Sequence, residues 1–234
     1  VPEERLVQEN PLPVSLSPER LAAVERRIEQ AAVRAGRHPR AITLVAVTKK
    51  FPASLIAEAY RLGLRHFGEN YVQEFAAKRA ELVGLPEACF HLIGHLQSNK
   101  ARLASEMFDV IQTVDSEKLG RRLSETGKRL RVMIEVKLSE EQSKAGAAPE
   151  DLPALIAALR SMPNLELTGL MTMPPWSENV ETARPYFRRL AALAREHGLP
   201  ELSMGMSNDL EVAIEEGATI VRVGTALFGR RPKP

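Results

Sequence analysis

Short apolar runs recur along this chain, each closed by polar residues and followed by a segment of helical period. The first run, residues 42–49, reads Ile-Thr-Leu-Val-Ala-Val-Thr-Lys. It lacks polar alternation apart from its threonines, which predicts a strand covered on both faces, as in a parallel sheet under helices. Phe51-Pro52 breaks the run, and a predicted helix over 53–62 ends at Gly63. The unit then repeats. Further strands are predicted at 66–68, 90–94, 110–114, 130–138, 165–171, 202–204 and 220–223. Helices are predicted between them, running to about 82, from Ser98, over 117–126, 149–161 and 180–197, and up to Gly217. Eight strands alternating with helices through short connections predict an α/β fold, a single (β/α)8 TIM barrel, with a doubly wound open sheet as the alternative.

An extra helix at 18–35 precedes the repeats, with Ser17 as N-cap and Pro18 at its first position. It is expected to cover a side or an end of the barrel. Residues 1–16 carry three prolines and no period, and are expected to form a loose arm. No low-complexity linker divides residues 17–234, so one domain is expected.

Composition narrows the function classes. At 44% hydrophobic residues, the chain can bury a sizeable core. Lys and Arg exceed Asp and Glu by two (32 against 30), so no general polyanion surface is indicated and no nucleic-acid partner is expected. The single cysteine, Cys89, excludes an intrachain disulfide and suggests a reducing compartment; its apolar neighbours in sequence suggest buried filler. Neither a membrane-length apolar run nor a basic-then-apolar start is present, so a cytoplasmic protein without a membrane partner is expected, as a monomer.

In such a barrel, chemistry sits at the carboxyl ends of the strands, which here offer Lys49, Asn70, His95, Lys144, Met173, Ser207, Arg222, Gly224 and Thr225. A partly desolvated lysine amine has a lowered pKa and attacks a carbonyl to form an imine; the plain alternative for Lys49 is a lysine snorkelling at a strand end. Gly205-Met206-Ser207-Asn208-Asp209 leads into a helix, so Ser207 offers an anion its hydroxyl and nearby N–H groups, or else caps that helix. Gly224-Thr225-Ala226 has the small residues that let a backbone approach an anion, or make a tight turn. These are the loops after strands 7 and 8, where barrels often seat phosphate. Arg222 lies inside an apolar run and needs a partner, either an ion pair with Glu135 or a ligand ring. An arginine beside a pyridine nitrogen keeps that nitrogen unprotonated and weakens the ring as an electron sink. Asn70 either orients a ligand or caps a helix, and Lys144 is either a rim cation or a surface lysine. Ser98-Asn99-Lys100 is expected to begin a helix, and Met171, Met173, Met204 and Met206 to fill core and rim. His91 and His95 span a strand end without a visible ligand cluster, so no metal site is expected.

Six motifs, in order, resemble those of the YggS/PROSC-type pyridoxal 5′-phosphate homeostasis proteins. They are Ala-Val-Thr-Lys at 46–49, Phe-Gly-Glu-Asn-Tyr at 67–71 and His-Leu-Ile-Gly-His-Leu-Gln-Ser-Asn-Lys at 91–100. Gly-Leu-Met-Thr-Met at 169–173, Leu-Ser-Met-Gly-Met-Ser-Asn-Asp at 202–209 and Val-Arg-Val-Gly-Thr-Ala-Leu-Phe-Gly at 221–229 complete the set. The resemblance implies a barrel like the N-terminal domain of alanine racemase, with pyridoxal 5′-phosphate (PLP) held as a Schiff base on Lys49. It further implies that Ser207, Gly224 and Thr225 cradle the phosphate, that Arg222 partners the pyridine nitrogen and that Asn70 lines the same mouth. The implied role is PLP storage, delivery or buffering, with effects on amino-acid and keto-acid balance. Apo PLP-dependent enzymes are the implied recipients, and no catalytic turnover is established. A slow PLP-dependent amino-acid racemase is the alternative, and a cofactor-free lysine-imine aldolase a third reading. Since the chain stops just past the eighth strand, no additional domain carrying a second base is expected, which favours the carrier.

Overall fold

The computed structural model describes residues 15–82, 84–139 and 145–229, so most of the expected arm, and Lys144, lie outside the described residues. Eight strands form the wall: β1 (Thr43–Val47), β2 (His66–Glu69), β3 (Cys89–Leu92), β4 (Val110–Val114), β5 (Leu130–Glu135), β6 (Leu165–Met171), β7 (Glu201–Ser203) and β8 (Ile220–Val223). Each pairs in parallel with the next, and β8 returns to β1 with Arg222 opposite Val45. The sheet is therefore a closed barrel and not an open one.

Helices cover the outside: α1 (Pro18–Arg34), α2 (Ala53–Arg61), α3 (Val72–Arg79), α4 (Ala101–Met107), α5 (Glu117–Ser124), α6 (Leu152–Arg160), α7 (Arg184–Glu196), α8 (Leu210–Glu215) and α9 (Thr225–Phe228). Strand residues facing outward meet these helices in one large apolar cluster, whereas Val45, Met133 and Ile220 form a small one apart from it. Room is tight there. A Cβ on Gly68 would sit 2.9 Å from Cγ1 of Val45 and 3.0 Å from Cδ1 of Ile93.

The extra helix α1 is capped as expected, the Ser17 hydroxyl accepting the N–H of Arg20 at 3.2 Å. It buries Leu21, Val24, Ile28, Ala31 and Ala32 and packs beside α8 and α9. Ion pairs from Arg27 to Glu211 and from Arg34 to Glu215 join it to α8, so it covers the barrel's side next to the last two strands.

The differences from expectation are local. The first strand stops at Val47, because Thr48 to Phe51 form a turn closed by the Phe51 N–H on the Thr48 carbonyl at 3.1 Å. Three predicted helices begin as 3-10 turns, at Ser98–Lys100, Pro149–Asp151 and Val180–Ala183. One such turn shares the residue spacing of a helix start, so the pattern does not separate them. The four-residue α9 is too short to show a period.

Candidate functional site

A cavity of about 710 Å³ opens beyond the carboxyl ends of the strands, and Lys49, Asn70, Ser207, Arg222, Gly224 and Thr225 all line it. A concavity of about 790 Å³ lies elsewhere, among the mixed charges of Arg102, Glu106, Lys118 and Glu125 on α4 and α5. The strand-end cavity is the one with a buried cation and with apolar walls from Val47, Ile93, Met173 and Trp176.

Lys49 is presented by the turn that ends β1. Lys50, the next residue, has φ of +64°, the only positive φ outside glycine among the described residues. That left-handed residue reverses the chain and leaves Lys49 at the cavity wall. A buried clamp holds the turn. The Lys78 ammonium donates to the carbonyls of Thr48 (3.3 Å) and Phe51 (3.0 Å), and to the carboxylates of Glu69 (2.8 Å) and Glu74 (2.9 Å). Glu69 also accepts the Thr48 hydroxyl at 2.8 Å, and Glu74 the Lys50 N–H at 2.5 Å. Burial raises the Glu69 pKa, and Lys78 opposes the rise.

Asn70 follows β2, and its backbone lies so close to Gly94 that any side chain there would meet the Asn70 carbonyl at 2.3 Å. Tyr71, not Asn70, is the N-cap residue of α3. The capping alternative therefore fails, and among the described residues the buried Asn70 Oδ1 has no hydrogen-bond partner. An unpaired buried amide oxygen at a cavity wall fits a site shaped for a ligand that donates to it.

Arg222 is 3% exposed. Its NH1 donates to the Ser203 hydroxyl at 2.6 Å and its NH2 to the Thr172 carbonyl at 2.9 Å. The alternative of an ion pair with Glu135 does not form: the guanidinium is turned toward β7 and the end of β6, and Glu135 acts on it only through space. Burial lowers the Arg222 pKa to about 10, with Glu135 and Asp209 opposing, so the group stays a cation at neutral pH. Burial likewise pushes Glu135 up to about 7 despite Arg222.

The loops after β7 and β8 meet as expected, though Ser207 is not a helix cap. Its hydroxyl accepts the Ala226 N–H at 3.2 Å, tying one loop to the other, while Asp209 precedes α8 and accepts the Met206 N–H at 2.6 Å. Arg27 of α1 donates to the Ser207 carbonyl at 2.9 Å while paired with Glu211. Gly224 has φ of −117°, so its backbone does not require glycine. Its missing side chain instead keeps space open beside Val47, from which a Cβ would stand 3.4 Å. The first N–H groups of a helix have no partner within it, and those of α9 begin at this corner.

Two expectations about residues on and beside β3 need correction. Cys89 is not apolar filler: its sulfur accepts from Arg131 at 3.2 Å and lies 3.4 Å from Nε2 of His91. His91 and His95 span the end of β3 as expected, but a group of possible ligands, a cysteine among them, does stand beside His91. His95 is exposed, 3.6 Å from Asp115, whereas His91 is buried, 3.0 Å from His66. His66, Cys89 and His91 thus bring three donor atoms within 4.8 Å of one another, a grouping hidden in the sequence by the 22 residues between His66 and Cys89.

Sequence reasoning missed Glu69, Lys78, Arg27, Gln112 and Ser203. Only Glu74 and Lys78, four apart on one helix, carried a readable hint.

Comparison with known proteins gives a match to the family described as "Alanine racemase, N-terminal domain" over residues 20–232. The pyridoxal phosphate homeostasis protein of Pseudomonas aeruginosa is 49% identical over 219 residues, covering 91% of this chain and 95% of that one. The structure of PipY from Synechococcus elongatus with PLP bound superposes with a TM-score of 0.75 at 42% identity, covering 87% of this chain and 100% of that one. Alanine racemase of Corynebacterium glutamicum shares the fold, with a TM-score of 0.69 at 21% identity over 94% of this chain and 63% of its own.

Proposed function

Because the chain belongs to the pyridoxal phosphate homeostasis protein family, we propose that its strand-end cavity holds PLP and that the protein stores, delivers or buffers this cofactor. The observation that carries the reading is the convergence of Lys49, the buried Arg222 and the Ser207–Gly224–Thr225 corner on one cavity. The buried Asn70 Oδ1, without a partner among the described residues, supports it, since such an acceptor suits a ligand bearing a donor.

PLP supplies an aldehyde for an amine, a pyridine ring and a phosphate dianion. Lys49 is the amine, Arg222 the partner for the ring nitrogen, and Ser207, Gly224 and Thr225 the seat for the phosphate. Val47, Ile93 and Met173 give the walls an apolar face for a flat ring. A guanidinium offers a ring nitrogen donors and no proton that it readily gives up, so the bound ring is a poor electron sink. That favours holding over turnover. Trp176 is 74% exposed at the rim, which leaves the cavity open to exchange with apo PLP-dependent enzymes as recipients. We place this work in the cytoplasm, by a monomer; among the described residues no helix is long and apolar enough to cross a membrane.

The test is uptake. Purified wild-type protein incubated with PLP and then dialysed retains a visible absorption band, and Lys49→Ala loses it. A colourless wild type, or an undiminished band in Lys49→Ala, overturns the reading. Ser207→Ala retains the cofactor more weakly, by about 1–3 kcal/mol, the scale of a charge-assisted hydrogen bond.

A further inference from the structure

A continuous line of hydrogen bonds crosses the barrel interior beneath the cavity. Arg222 NH1 donates to the Ser203 hydroxyl (2.6 Å), which faces Oε1 of Gln112 (2.6 Å); Nε2 of Gln112 faces Nδ1 of His91 (2.9 Å), and Nε2 of His91 faces Nδ1 of His66 (3.0 Å). Ser203 and Gln112 are fully buried and His91 is 2% exposed, and none of the three lines the cavity.

We propose that His91, Gln112 and Ser203 form a positioning relay for Arg222, with a single polarity imposed by the guanidinium. The polarity follows from which groups can donate. A guanidinium only donates, so Ser203 accepts from it and has its own hydrogen left for Gln112. Gln112 then presents its carbonyl to Ser203 and its amide NH2 to His91. The reverse orientation would aim two donors at one hydroxyl and leave the serine hydrogen without an acceptor in a dry interior. Nδ1 of His91 is therefore the acceptor, and its ring proton sits on Nε2, directed at His66. Burial keeps His91 neutral, its pKa near 3.

This polarity also decides what the three-donor cluster at the far end does. A metal requires the lone pair of His91 Nε2, which the relay fills with a proton, and Arg131 places a further cation 3.2 Å from the Cys89 sulfur. The cluster is the tail of the relay.

Two measurements test the proposal, the second of which rests on the PLP reading above. In cofactor-free wild-type protein, nitrogen-15 NMR of the imidazoles finds His91 protonated at Nε2 and bare at Nδ1, with a coupling through the hydrogen bond to His66. A proton on Nδ1, or stoichiometric uptake of Zn²⁺ by His66, Cys89 and His91, overturns it. In PLP-loaded protein, Ser203→Ala and Gln112→Leu both shift the visible band and weaken retention about tenfold, and Ser203→Thr restores both properties. Loss of folding stability with band and retention unmoved would reduce these residues to packing and overturn the relay. If wild-type protein takes up no PLP, the cofactor reading fails by itself, while the tautomer of His91 still decides the polarity.

Discussion

The Arg27 guanidinium, on a helix outside the eight repeats, donates to the main-chain carbonyl of Ser207 at 2.9 Å. The same group grips Glu211 with two further bonds, of 2.6 and 2.8 Å. The extra helix thus fastens the loop that carries the Ser207 hydroxyl. Replacing Arg27 with Ala frees that carbonyl, and PLP retention is expected to fall several-fold, read as the rate of release on dilution. Arg27→Lys is expected to recover little, because one ammonium does not reproduce a planar fork shared between a carboxylate and a carbonyl. Equal release rates in wild type and Arg27→Ala would separate α1 from the site.

Lys78 and Glu69 are buried partners beneath the Lys49 turn. Lys78→Met leaves Glu69 with an uncompensated charge, takes the ammonium donor from the Phe51 carbonyl and leaves the Thr48 carbonyl with the Phe51 N–H alone, and should cost about 3–5 kcal/mol in urea unfolding. The double variant Lys78→Met/Glu69→Gln should recover part of that loss. A double variant no better than the single one would show that the carbonyl bonds, not the charge, dominate the clamp.

Lys50 occupies a left-handed backbone position that suits glycine. Lys50→Gly is expected to match or exceed wild-type stability, by up to about 1 kcal/mol. Lys50→Val, branched at Cβ, should lose about 1–2 kcal/mol and present Lys49 less well for PLP loading. Thermal unfolding and the visible band read the two effects separately.

Two buried groups pull the pH profile of stability in opposite directions. His91 is held near pKa 3 against 6.5, so below pH 6.5 the unfolded chain takes up a proton that the folded chain refuses, and acid removes stability. Glu135 is held near 7 against 4.5, so between these values the folded chain keeps a proton that the unfolded chain releases. For that group, acidification from pH 7 to 4.5 adds stability. Each slope approaches about 1.4 kcal/mol per pH unit, and they offset each other between pH 4.5 and 6.5. Glu135→Gln removes one of them, so the variant should lose stability below pH 6.5 faster than wild type. Urea midpoints at pH 7.5 and 5.5 give the comparison; parallel profiles would mean that Glu135 ionises as it does in water.

The barrel was legible because a doubly covered strand and a covering helix each leave a pattern of their own, repeated eight times. The six cavity-lining residues were legible because the fold fixes where strand ends go, so Lys49 and Arg222 met through topology without any contact being known. Sequence pattern does not reveal partners that face one another across the barrel. Gln112 and Ser203 lie 91 positions apart, and each sits among apolar or small residues like any strand residue. The same limit hid the partners of Arg222: charge complementarity offered Glu135 as the plain alternative to a ligand ring, while the fold placed Ser203 and the Thr172 carbonyl closer.

Trp176 is the sole tryptophan of the chain, and it stands at the cavity mouth. Tryptophan fluorescence of this protein therefore originates at one address. Arrival or departure of a chromophore in the cavity can be followed as quenching or recovery of that emission, in unlabelled protein and in real time, including during hand-over to a second protein.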